Sequence, residues 1–397
     1  MNIKTNYKKG YVNSVLNIVF RYGTLPYDVF QLYGKTKAVQ YHRAVKKLKD
    51  EGILEEIKTL NKVRCIRFSD SVPEEALRVI DATISSNNNK DRLYMLAMKN
   101  TSRDNLGRYK TDQTKIINDI SAECFVEAAG FHTDAMLEDM QSIDKPLYLT
   151  STQLKKESDY SDKIERTKEG ADSLRNSRIN GLYAAPGGVF SIYSLGYHLI
   201  EWRRSGEERM QAYVASMLSN RLSQFYISMY KKEAIILSKS EVSFAEIVKL
   251  DYSPKKRMTG RVLMNIDYAY ESMYAIPYNP NGIKMFQMMQ TQNWKYQLKS
   301  KFLCHEEIEE AGFVSIRCDG YDKDTGVYTL VFCIPDMTKL KDFLKRATLE
   351  EDSSKFRIIC YKHQLPMLAE IIGKNAKIMT ISLDDVYEEV MRENEEY

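Results

Sequence analysis

Four residues, Gly23, Pro26, Gly34 and Gly52, divide the first seventy positions into pieces too short for anything but three brief helices and a pair of strands. The apolar run Val15, Leu16, Ile18, Val19 and Phe20 ends at Gly23. A second segment opens at Pro26, which fits the first turn of a helix, and stops near Gly34. The third, 36–51, sets Ala38, Tyr41, Val45 and Leu48 at helical spacing, and Gly52 breaks it as a left-handed cap would. Strands at 53–57 and 64–68 follow, with Asn61, Lys62 and Arg64 near the tip between them. Three helical segments and a two-stranded tip form the order of a winged helix-turn-helix, here spanning 11–70.

Charge gives that order a chemistry. Through Ile66 there are thirteen Lys or Arg against five Asp or Glu, an excess of eight, while the whole chain carries only +4. Everything after Ile66 is therefore net negative by four. Basic character confined to one end is expected where that end meets phosphate and the remainder does other work. The third helix turns Thr36, Gln40, Arg43 and Lys47 away from its apolar face, with Lys35 and Lys37 at its start. Gln and Arg in the N-terminal half of such a helix can read base edges in the major groove, and Lys35, Lys37, Lys47 and the tip residues Asn61, Lys62 and Arg64 complete the candidate DNA-binding set, with Lys62 placed for phosphate. The competing reading is a helical module whose charges form a solvated face or a protein-docking surface.

At 397 residues the chain has room for two or three domains. A 43% hydrophobic and 28% charged composition is that of an ordinary globular protein, and no apolar run approaches the ~20 residues of a membrane span. The start, MNIKTNYKKGY, has charge but no apolar core behind it, so no secretory signal is expected. Six cysteines (Cys65, Cys124, Cys304, Cys318, Cys333, Cys360) are scattered without a C-x-x-C pair, which argues against a disulfide framework or a zinc ribbon and for a reduced, cytoplasmic chain. None of the 27 tyrosines has a flanking signature that marks it as a nucleophile.

Past the wing, 73–84 reads as a helix and 85–89 as a polar linker. Helices at 90–99 and 109–129 carry Leu93, Leu96, Ile116, Ile117, Ile120 and Phe125 at helical spacing, and are the candidates for homodimer contact. From about Pro146 short apolar strands alternate with helices: a hairpin turned at Pro186-Gly187-Gly188, a long helix over 206–231, strands at 234–237 and 269–276, and helices at 242–248 and 282–292. A second hairpin pairs 313–318 with 327–334 around Asp322-Lys323-Asp324. Helix 337–346, strand 356–361, helix 365–372 and strand 377–381 follow, then a last helix with Ser382 and Asp385 at capping-box spacing. Such alternation predicts a multidomain α/β chain: a winged helix-turn-helix at 1–70, a helical linker and dimerisation region at 71–140, and an α/β layer domain at 141–397 with a mixed, largely parallel sheet. The tail from Asp384 carries seven acids and one Arg, which reads as a solvated helix or a negative patch.

A helix ending in Ala128-Ala129-Gly130-Phe131 is followed by Leu147-Tyr148-Leu149-Thr150-Ser151-Thr152-Gln153-Leu154-Lys155. After a charged spacer comes Asn176-Ser177-Arg178-Ile179-Asn180-Gly181, then the hairpin and the α/β portion. With the winged helix in front, this order resembles the replication-relaxation family encoded by bacterial plasmids and integrative elements. The resemblance implies a double-stranded-DNA-binding protein of a mobile element, acting in plasmid replication, DNA relaxation or conjugative transfer, with the replication or transfer machinery as a partner. It carries over no catalytic set.

The residues themselves supply no clear one. His42, His132, His198, His305 and His363 are isolated, so a His-x-His metal cluster is missing. The single neat Glu-x-Lys, Glu56 with Lys58, falls in the wing and reads as its surface. No Gly-x-x-x-x-Gly-Lys-Ser/Thr occurs. Lys155, Arg178, Glu207, Arg209 and the loop Lys255, Lys256 and Arg257 remain open to three readings: surface charge, a second DNA contact, or a nuclease site. Cys304-His305 lacks partners for a metal, and Met285, Met288 and Met289 suit a core or an interface. No cofactor and no metal are expected. The α/β domain is thus a docking or vestigial nuclease-like module, with two alternatives: a metal-dependent nuclease or relaxase, and a winged-helix transcriptional regulator.

Overall fold

Gly23 and Gly52 adopt φ of 69° and 72°, the left-handed region where a side chain is strained, and each closes a helix. The Gly23 N–H bonds Val19 O at 2.7 Å, and past Gly52 the Ile53 N–H reaches back to Leu48 O at 2.9 Å. The computed structural model describes residues 10–58, 63–69, 110–131, 146–151, 153–154, 177–196, 198–221, 231–249, 262–265, 269–350 and 352–395. They form a mixed α/β protein whose sheets combine parallel and antiparallel strands. The chain divides into two compact units, Met1–Ala128 and Ala129–Tyr397.

In the first unit α1 is Gly10–Tyr22, with Val15, Leu16, Val19 and Tyr22 buried at helical spacing. Strand β1 is Thr24–Pro26. The second helical segment, Tyr27–Tyr33, is a 3-10 helix: Pro26 in extended backbone and Gly34 at φ 82° leave it only seven residues. Helix α2, Lys35–Asp50, buries Ala38, Tyr41, Ala44, Val45 and Leu48. Its Tyr41 ring stacks on Phe30 at 4.9 Å and meets Tyr11 edge-on at 5.0 Å. Strands β2 (Leu54–Lys58) and β3 (Arg64–Phe68) form an antiparallel hairpin, and β1 pairs with the far side of β3 in the order β1-β3-β2. Helix α3, Lys110–Ala128, packs on the 3-10 helix and β1. It buries Ile117, Ile120, Phe125 and Val126, and its Glu127 accepts the Tyr22 hydroxyl at 2.7 Å and pairs with Arg21.

Among the described residues the second unit holds two larger sheets and a two-stranded one. Strands β4 (Leu147–Thr150), β5 (Gly181–Ala185) and β6 (Gly188–Ser194) run as an antiparallel meander through the expected turn at Pro186-Gly187-Gly188. A short antiparallel pair, β7 (Glu201–Trp202) with β9 (Val262–Leu263), lies outside this sheet. Helix α4 (Arg204–Arg221) leads to β8 (Glu233–Ser238), and α5 (Glu241–Lys249) precedes β10 (Ser272–Pro277). Both strands lie parallel to β6, the helical crossovers allowing the chain to return in the same direction, so the sheet order is β10-β8-β6-β5-β4. Helices α6 (Pro280–Met288), α7 (Trp294–Ser300) and α8 (His305–Glu310) lead to the second sheet. That sheet comprises β11 (Gly320–Asp322), β12 (Val327–Val331), β13 (Phe356–Tyr361) and β14 (Lys377–Ile381) in sequential order, parallel from β12 onward. Helix α9 (Met337–Ala347) joins β12 to β13, α10 (Leu365–Ile372) joins β13 to β14, and α11 (Leu383–Glu395) closes the chain.

One expected strand moves. The 313–318 run is irregular, and the hairpin partner of β12 is Gly320–Asp322. The Asp322 carboxylate accepts the N–H of Asp324 at 2.9 Å and of Thr325 at 3.3 Å, which fixes the turn and hence the register. Phe313 lies 84% exposed while Ile316 and Cys318 are buried, so the run covers the core without pairing as a strand. Among the described residues one apolar cluster takes in both sheets, with Ile236 and Met273 from one, Leu330 and Ile358 from the other, and Phe244, Phe343 and Leu368 from helices α5, α9 and α10.

Candidate nucleic-acid interface

Burial of Ala38, Tyr41, Val45 and Leu48 fixes which side of α2 faces outward, and that side carries the residues singled out from the sequence. Lys35, Thr36, Lys37, Arg43 and Lys47 are exposed, and Gln40 is half-buried at the edge of the same face. Spacings of four and three residues align Thr36, Gln40, Arg43 and Lys47 along the helix. Two further residues belong to this surface: Lys46, exposed, and Val39, 48% exposed. The sequence carried their signal, since neither falls on the stripe defined by Ala38, Tyr41, Val45 and Leu48. Among the described residues, no acidic side chain pairs with Lys35, Lys37, Arg43, Lys46 or Lys47. The first turn of α2 contains no acid.

The hairpin is electrostatically different. Adjacent residues on a strand point to opposite faces, and the two acids of β2 divide accordingly. Glu55 lies directly across from Arg67 and accepts its Nε–H at 2.6 Å. Glu56 accepts two hydrogen bonds from Arg64, at 2.7 and 3.0 Å, and one from the Lys49 ammonium of α2 at 2.8 Å. Hydrogen bonds from Arg64 and then Lys49 hold the Glu56 carboxyl down at about 2. The Arg64 guanidinium also lies 4.9 Å from the centre of the Tyr27 ring, which stacks on His42 at 5.4 Å. Burial, followed by the nearby Arg64 charge, lowers the His42 pKa below its ordinary value. Glu56 and Lys58 are thus parts of a hairpin surface, with the Glu56 carboxylate committed to two cations. Asn61 and Lys62 lie outside the described residues.

In the second unit the flagged residues separate. Glu207 is fully buried and not surface charge. It accepts the Ser177 hydroxyl and the Arg178 backbone N–H, each at 2.8 Å, and the Tyr193 hydroxyl at 2.5 Å, and Tyr193 in turn bonds Tyr270. Arg178 donates through Nε to Glu201 O, while Arg209 is exposed and bonds its own helix at Ser205 O. Strands β5 and β6 carry no Asp, Glu or Lys. Lys155 and the 255–257 loop lie outside the described residues. Met285, Met288 and Met289 are buried, and His305 is exposed and paired with Glu309. Among the described residues no three His, Cys, Asp or Glu side chains are grouped to hold a metal ion, and no helix is long and apolar enough to cross a membrane.

Comparisons with protein-family models, with curated proteins and with solved structures return no match.

Proposed function

We propose that this chain is a sequence-specific double-stranded-DNA-binding protein whose first unit is a winged helix-turn-helix, with α2 as the recognition helix and the β2–β3 hairpin as the wing. The observation that carries the reading is the exposed α2 face, where Thr36, Gln40 and Arg43 stand among cations that no described acid neutralises. Arg and Gln make paired hydrogen bonds to guanine and adenine edges, while Lys35, Lys37, Lys46 and Lys47 meet phosphate. The exposed Val39 suits a thymine methyl group. The resemblance to the replication-relaxation family extends this to a mobile-element protein acting in replication, relaxation or transfer. A homodimer reading two half-sites is the arrangement such a module adopts on palindromic DNA.

The test is binding of the purified protein to fragments of its own genetic element and to random duplex across a salt series, with supercoiled plasmid and Mg²⁺ or Mn²⁺ in parallel. Site-selective binding that leaves the plasmid intact supports the reading. A nicked plasmid replaces it with a nuclease acting through the second unit. Absence of binding at low salt removes nucleic acid altogether and leaves the basic face of α2 as a protein-docking surface.

A further inference from the structure

The basic residues of the first unit fall into two populations. Lys35, Lys37, Arg43, Lys46 and Lys47 have no described acidic partner, whereas Lys49 and Arg64 share one carboxylate, that of Glu56. These contacts join three parts of the fold: Lys49 comes from the end of α2, Glu56 from β2 and Arg64 from β3. The aromatic contacts extend the chain of interactions, since Arg64 covers Tyr27 and Tyr27 stacks on His42, one residue before Arg43. The Glu56 side chain is 20% exposed and that of Arg64 58%. Ion pairs this open to solvent add little to stability, so their effect is on where the hairpin sits and which cations are available to a ligand.

We propose that Glu56 is the positioning residue of this surface: it withholds Lys49 and Arg64 from phosphate and uses them to fix the hairpin against α2, leaving the five α2 cations that have no described acidic partner to face a duplex. The inference rests on the DNA-binding reading above and adds a division of labour within it. Arg64, near the tip of the hairpin, serves as a strut and not as a phosphate contact. A rigidly placed hairpin sets the distance between the groove-reading helix and the backbone contact beside it, which is a requirement for discriminating one site from another.

The test uses the full chain and a labelled random-sequence duplex, with affinity measured across a salt series for four proteins: the parent, Glu56→Gln, Arg64→Gln and the double variant. Glutamine keeps the shape of Glu56 and removes its charge. Each added phosphate contact steepens the dependence of log K on log salt by about 0.9. Release of both Lys49 and Arg64 therefore makes Glu56→Gln bind random DNA more tightly at low salt and lose about tenfold more affinity than the parent between roughly 50 and 200 mM salt. Arg64→Gln keeps the parent's slope, and the double variant returns about half of the added steepness. A slope in Arg64→Gln flatter than the parent's by about one contact would show Arg64 already on phosphate and overturn the inference. An unchanged slope in a folded Glu56→Gln would overturn it as well. If Glu56→Gln fails to fold, the Arg64→Gln comparison decides alone. A parent protein that binds no duplex at low salt overturns the DNA reading itself, an outcome distinct from a binding parent with insensitive variants.

Discussion

His363 follows strand β13, lies nearly parallel to the Tyr361 ring at 5.8 Å, and lines a small cavity with Glu241, Phe244, Phe332 and Gln364. Among the described residues its buried Nε2 has no hydrogen-bond partner, and burial pushes the imidazole down from 6.5 to about 4. The unfolded chain therefore takes up a proton at this residue before the folded one does. The stability that the neutral ring contributes is complete above 6.5 and is lost as pH falls toward 4. A gap of about 2.5 at ~1.4 kcal/mol per pH unit is worth ~3 kcal/mol, of which about 2–3 kcal/mol is lost between about pH 7.5 and 4.5. Glu241, across the cavity, is raised by burial, so it acts in the opposite sense and offsets part of the loss as acid protonates it. The assay is urea unfolding followed by tryptophan fluorescence. The chain has two tryptophans, and both Trp202 and Trp294 are buried in the second unit, so the signal reports that unit alone. His363→Phe keeps a flat ring against Tyr361 and removes the titration, so the acid-induced fall in midpoint should disappear. If the variant and the parent lose stability in parallel over this range, His363 is not the acid-sensitive group and the reasoning fails.

Gln40→Ala or Arg43→Ala should relax sequence preference, costing roughly 1–3 kcal/mol at a contacted base pair in competition binding. Lys47→Ala should weaken binding to all sequences alike and flatten the salt slope by about one contact. Gly282→Ala should destabilise the second unit by about 1–3 kcal/mol or more in the tryptophan-monitored melt, because a Cβ there would lie 1.7 Å from Pro277 O, a backbone atom with no rotamer to escape into. Glu207→Leu strands the Ser177 hydroxyl and the Arg178 N–H and leaves the Tyr193 hydroxyl with Tyr270, so a loss of about 3 kcal/mol is expected by the same melt, with the environment of Trp202 altered through its edge-on contact with Tyr193.

Local chemistry makes some of this legible in the sequence itself. The glycine stops, the Pro186-Gly187-Gly188 turn and the Ser382 cap act over three or four residues, and the elements they bound fall within a few positions of expectation. The outward face of α2 could be read because its apolar stripe is regular. Longer-range relations could not. Glu56 looks like any surface acid on a strand until α2 and β3 bring Lys49 and Arg64 to it. Glu207 looks like a helix-start surface charge, and only the return of Tyr193 and Ser177 from earlier in the chain turns it into a buried acceptor. The 313–318 run misled because its alternation of apolar residues is real, whereas the register was decided by the Asp322 turn further along.

The helix Lys110–Ala128 has a practical bearing on how the basic module can be handled. It forms one wall of the first unit, with Phe125 and Val126 fully enclosed and Glu127 tied to Arg21 and Tyr22. A gene fragment cut just after the hairpin would encode helix α2 on a scaffold with one side open, prone to clump before it could be titrated with anything. Expression boundaries, swaps between homologous modules and fusions to other effectors should therefore run through Ala128, so that the cassette that is moved is the one that folds.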